Sequence, residues 1–301
     1  ICASGTLGQI IPPSLVLILL ADVLSSAYQQ AQLNMGIFSP ETVTIAELFA
    51  GAVIPGVLLP ILYIIYIKIS YKDLIITSSV KNASDLTKSF LPPILLIFLV
   101  LGSIILGIAT PSEAAALGVF GATLISVIQK QLNFNILNYC SKETIKLTSM
   151  IFMILIGATL FSLVFRGLNG EELIQSILLD DSVDKFYTLL IILFLMFFLG
   201  FILDFIEIIF IVIPIFGPIL FTLGFDPIWI GILIGMVLQT SFLTPPFGFS
   251  IFYLRGVAPD NIDTREIYKG VLPFVFIQLF VVMLILLIPG LATLLPSIIF
   301  N

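Results

Sequence analysis

Long apolar runs separated by short polar segments make up most of the chain. Thr110, Pro111 and Glu113 form a capping-box pattern, which predicts a helix over residues 112–128. Further runs are long enough to cross a hydrocarbon core of about 30 Å as helices: residues 46–67, 91–109, 144–165 and 267–288. This pattern is typical of an all-α polytopic membrane protein.

Two other apolar runs are interrupted by a pair of prolines beside small and hydroxyl residues. The pair Pro12–Pro13 interrupts residues 4–18, and the pair Pro245–Pro246 interrupts residues 236–254. Proline cannot donate a backbone hydrogen bond and clashes with the preceding helical turn, so we predict a broken helix at each pair. Unwound backbone at membrane depth lines cavities, and paired broken helices form ion and substrate sites in secondary transporters.

The distribution of Lys and Arg predicts the orientation of these helices. No Lys or Arg occurs in residues 1–67, whereas Lys-rich connections follow at residues 68–88 and 130–146. The positive-inside rule places such connections in the cytoplasm. The acidic segment 166–185 is then external, and residues 255–269, with two Arg and one Lys, are again cytoplasmic. The two broken helices therefore run in opposite directions, as in an inverted-topology repeat.

This orientation predicts a domain organisation in three parts. Residues 1–28 are expected to be a broken helix that closes a first, truncated repeat, and residues 29–143 to be connecting spans and loops. Residues 144–301 are expected to form a second repeat, with a hairpin over residues 186–222 and a broken helix over residues 226–258.

Asp204 and Glu207 are the carboxylates that lie deep in an apolar run. A charge at the bilayer centre costs about 2.5 to 3.5 kcal/mol on insertion scales, so a functional role is the first hypothesis. Either residues 186–222 form a re-entrant hairpin whose tip, residues 200–207, meets the second break, or they form two full spans with Asp204 at a cytoplasmic turn. Arms of about 17 residues are short for full spans, which favours the hairpin.

Hydroxyl groups lie beside the carbonyls that the two breaks are expected to free. Thr240, Ser241 and Thr244 lie at the second break, and Ser4 and Thr6 precede the first. Neutral oxygen ligands suit a hard monovalent cation such as Na⁺. The alternative is that each hydroxyl only bonds to the preceding turn of its own helix.

Two arginines are candidates for binding an anion. Arg166 and Arg255 could hold a carboxylate through the guanidinium fork, but both lie near helix ends, where Arg side chains commonly extend to the membrane interface.

Composition excludes several kinds of function. The 301 residues are 59% hydrophobic and 10% charged, the net charge is −6, and nucleic-acid binding is not indicated. The absence of histidine excludes His-based acid–base chemistry and His metal sites. Cys2 and Cys140 are interpreted as small apolar residues. Because the chain begins with Ile1 rather than Met, we expect a fragment that starts inside a membrane-embedded region.

The chain resembles the large membrane (permease) subunit of TRAP (tripartite ATP-independent periplasmic) transporters. The matching stretches are SGTLGQIIPPS (4–14), TPSEAAALGVFGA (110–122), FLGFILDFIEIIFIVIPIFGPI (198–219) and GFDPIWIGILIGMVLQTSFLTPPFGFSIFYLRGVAP (224–259). The resemblance implies an inverted-repeat elevator-type transporter in the bacterial inner membrane, with discontinuous helices and a re-entrant hairpin. It also implies Na⁺ as the coupling ion with no other cofactor, a small membrane subunit, and a periplasmic substrate-binding protein that delivers organic acids such as dicarboxylates.

The resemblance also implies site residues. Residues 198–219 would be the second re-entrant hairpin, residues 239–248 would complete one sodium site, and residues 5–13 would be half of the other. The candidates for the sodium and adjacent substrate sites are Gly5, Thr6, Gly8, Pro12, Gly200, Asp204, Gln239, Thr240, Thr244, Pro245 and Gly248. The family's first hairpin would precede Ile1, so the first sodium site would be incomplete in this chain.

Several alternatives stay open at this point. Residues 29–44 and 68–90 are interpreted as loops longer than in the shorter members of the family, which leaves the substrate class open. A divalent-anion/sodium symporter that works without a binding protein, or a channel-like subunit, would show similar breaks. An intramembrane protease is disfavoured because Asp204 and Glu207 lie on one segment rather than on facing elements.

Overall fold

The structure is a computed structural model that describes residues 1–70, 83–179, 184–245, 248–259 and 263–300. All regular secondary structure in these ranges is helical, which confirms the all-α class. In chain order the helices are α1 (Cys2–Thr6), α2 (Leu15–Asn34), α3 (Ile45–Ser70), α4 (Ala83–Ile105), α5 (Pro111–Ile128), α6 (Phe134–Gly167), α7 (Gly170–Leu178), α8 (Lys185–Leu199), α9 (Phe205–Glu207), α10 (Ile213–Thr222), α11 (Pro227–Leu243), α12 (Phe249–Val257), α13 (Thr264–Leu287) and α14 (Gly290–Phe300).

The helices satisfy the length and hydropathy requirements of a polytopic membrane protein. In the described part of the chain, five helical stretches are long and apolar enough to cross a membrane. They are Ile45–Ser70, Pro111–Ile128, Phe134–Gly167, Phe205–Thr222 and Thr264–Leu287. The chain divides into two compact units, one of residues 1–64 with 153–301 and one of residues 65–152.

The smaller unit contains α4 packed against α5. Thr110 caps α5 as predicted, since its hydroxyl accepts from the Glu113 amide at 3.4 Å and the Glu113 carboxylate accepts from the Thr110 amide at 2.8 Å. A Cβ added at Gly118 would lie 3.4 Å from Val100. The small residues of α5 therefore allow α4 to approach closely.

The larger unit is built around α11. Every residue from Trp229 to Ser241 is buried, and the helix contacts α2, α8, α12, α13 and α14. Asp226 begins α11 by accepting a hydrogen bond from the Trp229 amide at 2.8 Å, with Pro227 in the first turn. The Trp229 indole donates to the Ile285 carbonyl at 2.8 Å and links α11 to α13. A helix that is apolar on all sides and buried along its length is the core of this unit.

Three predicted boundaries are wrong. Helix α4 begins at Ala83, inside the connection predicted over residues 68–90. The predicted loop 29–44 is helical as far as Asn34, because Ala27 and Ala31 continue the buried face of α2. The Gln32 amide binds both backbone groups of Glu41, at 3.2 Å and 2.9 Å, and so draws the remaining loop back onto α2.

Helix α6 begins at Phe134 rather than at the predicted residue 144. Its first turn is stabilised by Asn133, whose side-chain oxygen accepts from the Ile136 amide at 2.8 Å. The predicted polar connection therefore continues the helix that enters the membrane.

Two further helices lie where no helix was predicted. Helix α7 lies in the predicted external loop 166–185, and α14 follows the predicted last span. Helix α7 is short and carries its acidic residues in its first turn, where they interact favourably with the helix dipole. Neither helix is long enough to cross the membrane, so neither was expected from the membrane-spanning runs.

Candidate functional site

The first broken helix is interrupted between Gln9 and Ser14. Helix α1 is followed by a short 3₁₀ turn over Leu7–Gln9, and the chain becomes helical again only at Leu15. Ser14 begins α2, because its hydroxyl oxygen accepts from the Leu17 amide at 3.3 Å while its proton goes to the Gln9 carbonyl. The predicted break at Pro12–Pro13 is therefore present, and one freed carbonyl is satisfied by the cap of the next helix.

The second broken helix is interrupted between Leu243 and Phe249. Thr244 is extended, and Gly248 has a φ of +37°, which a residue with a side chain rarely adopts. The Ser250 hydroxyl donates to the Phe242 carbonyl at 3.2 Å across the break. Of the predicted proline pair, Pro245 lies in the break, and Pro246 lies outside the described residues.

The two broken helices cross in antiparallel directions. A Cβ added at Gly231 would lie 2.9 Å from Leu24, and one added at Gly235 would lie 3.4 Å from Ile10. Beyond Gly235, the Cys2 thiol donates to the Ser250 carbonyl at 3.4 Å. Residue numbers therefore rise along α11 while they fall along the other broken helix, and glycines permit the close approach.

The segment that joins α8 to α9 contacts the second broken helix. Helices α8 and α9 are joined by residues 200–204. A Cβ at Gly200 would lie 2.6 Å from the Ser241 Cβ, closer than real contacts allow. This contact is three residues before Thr244, so the segment between α8 and α9 lies against the end of α11.

Asp204 and Glu207 form a reciprocal helix cap. The Asp204 carboxylate accepts from the Phe205 amide at 2.7 Å, and the Glu207 carboxylate accepts from the Asp204 amide at 3.3 Å. A π-helical segment, Ile208–Val212, follows this cap and precedes Pro214. Capping thus gives both carboxylates a structural role that the sequence interpretation missed, although the spacing matches that of Thr110 and Glu113.

Each candidate hydroxyl bonds to the preceding turn of its own helix, the alternative that the sequence left open. The donors and acceptor carbonyls are Thr6 to Ala3 (3.0 Å), Thr240 to Met236 (2.7 Å), Ser241 to Leu238 (2.8 Å) and Thr244 to Thr240 (2.6 Å). These bonds use the hydroxyl protons and leave oxygen lone pairs. The hydroxyl oxygens therefore remain able to accept a hydrogen bond or to coordinate a cation.

Buried glutamine amides are the unsatisfied polar groups of this region. Gln239 is 0% exposed, and neither its Oε1 nor its Nε2 has a partner among the residues that the structure describes. The Oε1 atoms of Gln9 and Gln278 are likewise buried without a partner in those ranges. A buried amide atom left unpaired costs about 1 to 3 kcal/mol, so each of these atoms calls for an explanation.

Sequence reasoning missed Gln278. Its Nε2 donates to the Thr6 hydroxyl at 3.3 Å and to the Tyr63 hydroxyl at 2.8 Å. A signal for it existed, because Gln278 is the only polar side chain between Gly270 and Leu287.

The remaining candidates have less distinctive surroundings. Pro12 is buried within the first break, whereas Gly5 and Gly8 are exposed, and a Cβ at either would meet nothing within 4 Å. Arg166 forms a 2.6 Å ion pair with Glu171, in keeping with a position near the membrane interface. Arg255 is exposed near the end of α12.

Comparisons with known proteins identify a family for the chain. Residues 1–291 match the sequence profile of the family described as tripartite ATP-independent periplasmic transporter, DctM component.

Curated relatives extend along nearly the whole chain. The C4-dicarboxylate TRAP transporter large permease protein DctM of Pseudomonas aeruginosa is 29% identical over 99% of this chain and 66% of its own length. The uncharacterized protein YgiK of Salmonella typhimurium is 30% identical over 98% of this chain and 65% of its own length. The sialic acid TRAP transporter large permease protein SiaM of Vibrio cholerae is 26% identical over 98% and 66%, respectively.

The chain therefore spans about two thirds of the length of these relatives, two of which are named as transporter permeases and none as an enzyme. The apolar helices and these relatives identify an integral, multi-pass membrane protein, and a bacterial inner membrane fits both. The chain belongs to the DctM component family of tripartite ATP-independent periplasmic transporters.

Proposed function

We propose that the two broken helices and the hairpin tip form the coupling site of a sodium-driven secondary transporter that imports organic acids. The observation that carries this proposal is the buried amide of Gln239, which has no partner among the residues that the structure describes. Gln239 lies one helical turn beyond Gly235, which approaches Ile10, and two residues before Ser241, which contacts Gly200. The unpaired oxygen is therefore bracketed by contacts with the first break and the hairpin tip.

The atoms near Gln239 suit an alkali cation. Its Oε1 is a neutral oxygen ligand, and the hydroxyl oxygens of Thr240 and Thr244 keep lone pairs on the same helix. Neutral carbonyl and hydroxyl oxygens replace the hydration shell of such ions in membrane proteins. Binding one cation would satisfy the buried amide oxygen and would favour an anionic substrate nearby, which could accept a hydrogen bond from Nε2.

The substrate proposal rests on the helix ends and on the relatives. Helix α12 begins at the second break, so its unpaired amides offer positive partial charge there. The names of two relatives specify a C4-dicarboxylate and sialic acid, both organic acids. We therefore assign a carboxylate substrate, held by helix N-termini and hydroxyls rather than by Arg166, which is paired with Glu171.

The complete transporter in this proposal includes further proteins and a conformational change. A small membrane subunit and a periplasmic binding protein would work with this chain, in keeping with the family description. Residues 186–222 would form a re-entrant hairpin, and the two halves of the chain would be inverted repeats that carry an elevator-type movement. The antiparallel crossing of the broken helices supports this arrangement.

Uptake by proteoliposomes tests the proposal. The chain is reconstituted with its small subunit and supplied with the binding protein and labelled C4-dicarboxylate or sialic acid. An inward Na⁺ gradient is expected to drive uptake that choline does not support. Gln239→Leu should lower this uptake at least tenfold at limiting Na⁺. Gln32→Leu serves as the control, because Gln32 is also buried but binds Glu41 away from the breaks. Equal uptake in Na⁺ and choline would refute the proposal.

A further inference from the structure

A second buried polar cluster joins three separate helices of the larger unit. Gln278 of α13 is 0% exposed, Thr6 of α1 is 2% exposed and Tyr63 of α3 is 5% exposed. The Gln278 Nε2 donates to the Tyr63 hydroxyl at 2.8 Å and to the Thr6 hydroxyl at 3.3 Å. One amide group therefore connects the half-helix before the first break to two long apolar helices.

The stability of α13 does not account for a glutamine at this position. The side-chain oxygen of Gln278 is buried without a hydrogen-bond partner in the described ranges. Val275 and Val281 on the same helix are buried and apolar. A leucine of similar volume would avoid the penalty of the unpaired oxygen. The useful contacts of this amide are therefore the two hydrogen bonds that its nitrogen donates, to Thr6 and to Tyr63.

The amide nitrogen fixes the orientation of the Thr6 hydroxyl. The proton of that hydroxyl goes to the Ala3 carbonyl at 3.0 Å, and one lone pair accepts from Gln278. A hydroxyl oxygen has two lone pairs, so one remains for another ligand. With the proton and one lone pair committed, the direction of the remaining lone pair is set by Gln278.

The half-helix needs such an anchor because it is only five residues long. Isolated helices of this length are unstable, so tertiary contacts must hold α1 in place. At one end, the Cys2 thiol donates to the Ser250 carbonyl at 3.4 Å. At the other end, Gln278 holds Thr6, and Tyr63 in turn accepts from the same amide.

We propose that Gln278 and Tyr63 are positioning residues for the sodium site proposed above at the crossing of the two broken helices, and that they act by fixing the Thr6 oxygen of the half-helix that borders it. This inference rests on the proposed function. It predicts that loss of the Gln278 amide raises the Na⁺ concentration needed for half-saturation, and that a comparable loss of stability elsewhere in the fold does not.

Sodium-dependent thermal stability of the purified chain in lipid nanodiscs tests this inference. The melting temperature is measured over a NaCl series, with choline chloride holding ionic strength constant, because an ion that binds the folded state raises the melting temperature. Gln278→Leu is expected to raise the half-saturating Na⁺ concentration about tenfold, and Tyr63→Phe about threefold. Gln32→Leu is the matched control: it removes a buried amide that is bonded to Glu41 and should lower the melting temperature without moving the half-saturating concentration.

The outcomes separate this inference from the proposed function. A wild-type melting temperature that is the same in NaCl and choline chloride would overturn both. Wild-type stabilisation by Na⁺ with an unchanged half-saturating concentration in Gln278→Leu and Tyr63→Phe would overturn the positioning role alone. Should Gln278→Leu fail to fold, Tyr63→Phe decides, because it keeps the ring that contacts Phe274 and removes only the hydroxyl.

Discussion

At the residue scale, the candidate site is defined by polar atoms that the fold buries without satisfying. The hydroxyls of Thr240 and Thr244 are bonded within their own helix, whereas the amide of Gln239 has no partner in the described part of the chain. A stable core satisfies its buried polar groups, and exceptions mark function. The amide, more than the hydroxyls, therefore distinguishes this region from an ordinary apolar interface.

Gly200 provides a residue-scale prediction about the contact between the hairpin tip and α11. Gly200→Ala should destabilise the fold by about 1 to 3 kcal/mol, because the new Cβ would overlap Ser241. Ser241→Gly in the same chain should restore most of that loss. Thermal unfolding measures both effects. Gly157→Ala is the control, since a Cβ at that helical position meets nothing within 4 Å. Unchanged stability of Gly200→Ala would show that the tip does not contact α11.

At the element scale, capping residues at the helix ends determine where the helices begin. Asp204 and Glu207 begin the second arm of the hairpin as Thr110 and Glu113 begin α5. Ser14 and Gly248 restart the two broken helices. Each restart needs a cap because proline or glycine removes the regular backbone pairing. The two breaks are therefore encoded locally.

Asp204 provides an element-scale prediction that separates capping from charge. Asp204→Ala should lower the free energy of unfolding by about 0.5 to 2 kcal/mol, because the Phe205 amide loses its acceptor. Asp204→Asn keeps an acceptor oxygen and should stay close to wild type in both melting temperature and sodium response. Thr110→Ala removes a cap at the other capping box and is the control: it should lower the free energy of unfolding without changing the sodium response. If Asp204→Asn loses sodium-dependent stabilisation while its melting temperature is retained, the charge of Asp204 acts at the site rather than at the cap.

Local patterns also explain which elements could be predicted from the sequence. The breaks at Pro12–Pro13 and after Leu243, and the turn before α11, follow from proline and capping residues alone. Helices α7 and α14 contain too few residues to be recognised as spans, and helices of this length depend on packing. Helix α6 begins at Phe134, earlier than predicted, because its first residues are polar. Only the cap that Asn133 forms with the Ile136 amide marks them as helical.

At the whole-molecule scale, the site depends on contacts that no local pattern encodes. Gln278 is 272 positions from Thr6 and 215 from Tyr63, yet one amide binds both. The sequence indicates that Gln278 is unusual within an apolar helix, but only the fold identifies its partners. In the same way, the approach of Gly200 to Ser241 requires the hairpin and α11 to be placed together.

The antiparallel crossing of the two broken helices is what turns these contacts into one site. Gln239 lies on α11 between Gly235, which approaches Ile10, and Ser241, which contacts Gly200. We propose that this convergence binds Na⁺ through neutral oxygens.

Equilibrium binding of ²²Na⁺ to the purified chain tests that claim most directly. Saturable binding is predicted for the wild type and for Gln32→Leu, which keeps the broken helices intact. Gln239→Leu is predicted to lower the affinity at least tenfold, because it removes the unpaired amide oxygen from the crossing. Undiminished ²²Na⁺ binding by Gln239→Leu, or no saturable binding by the wild type, would contradict the account.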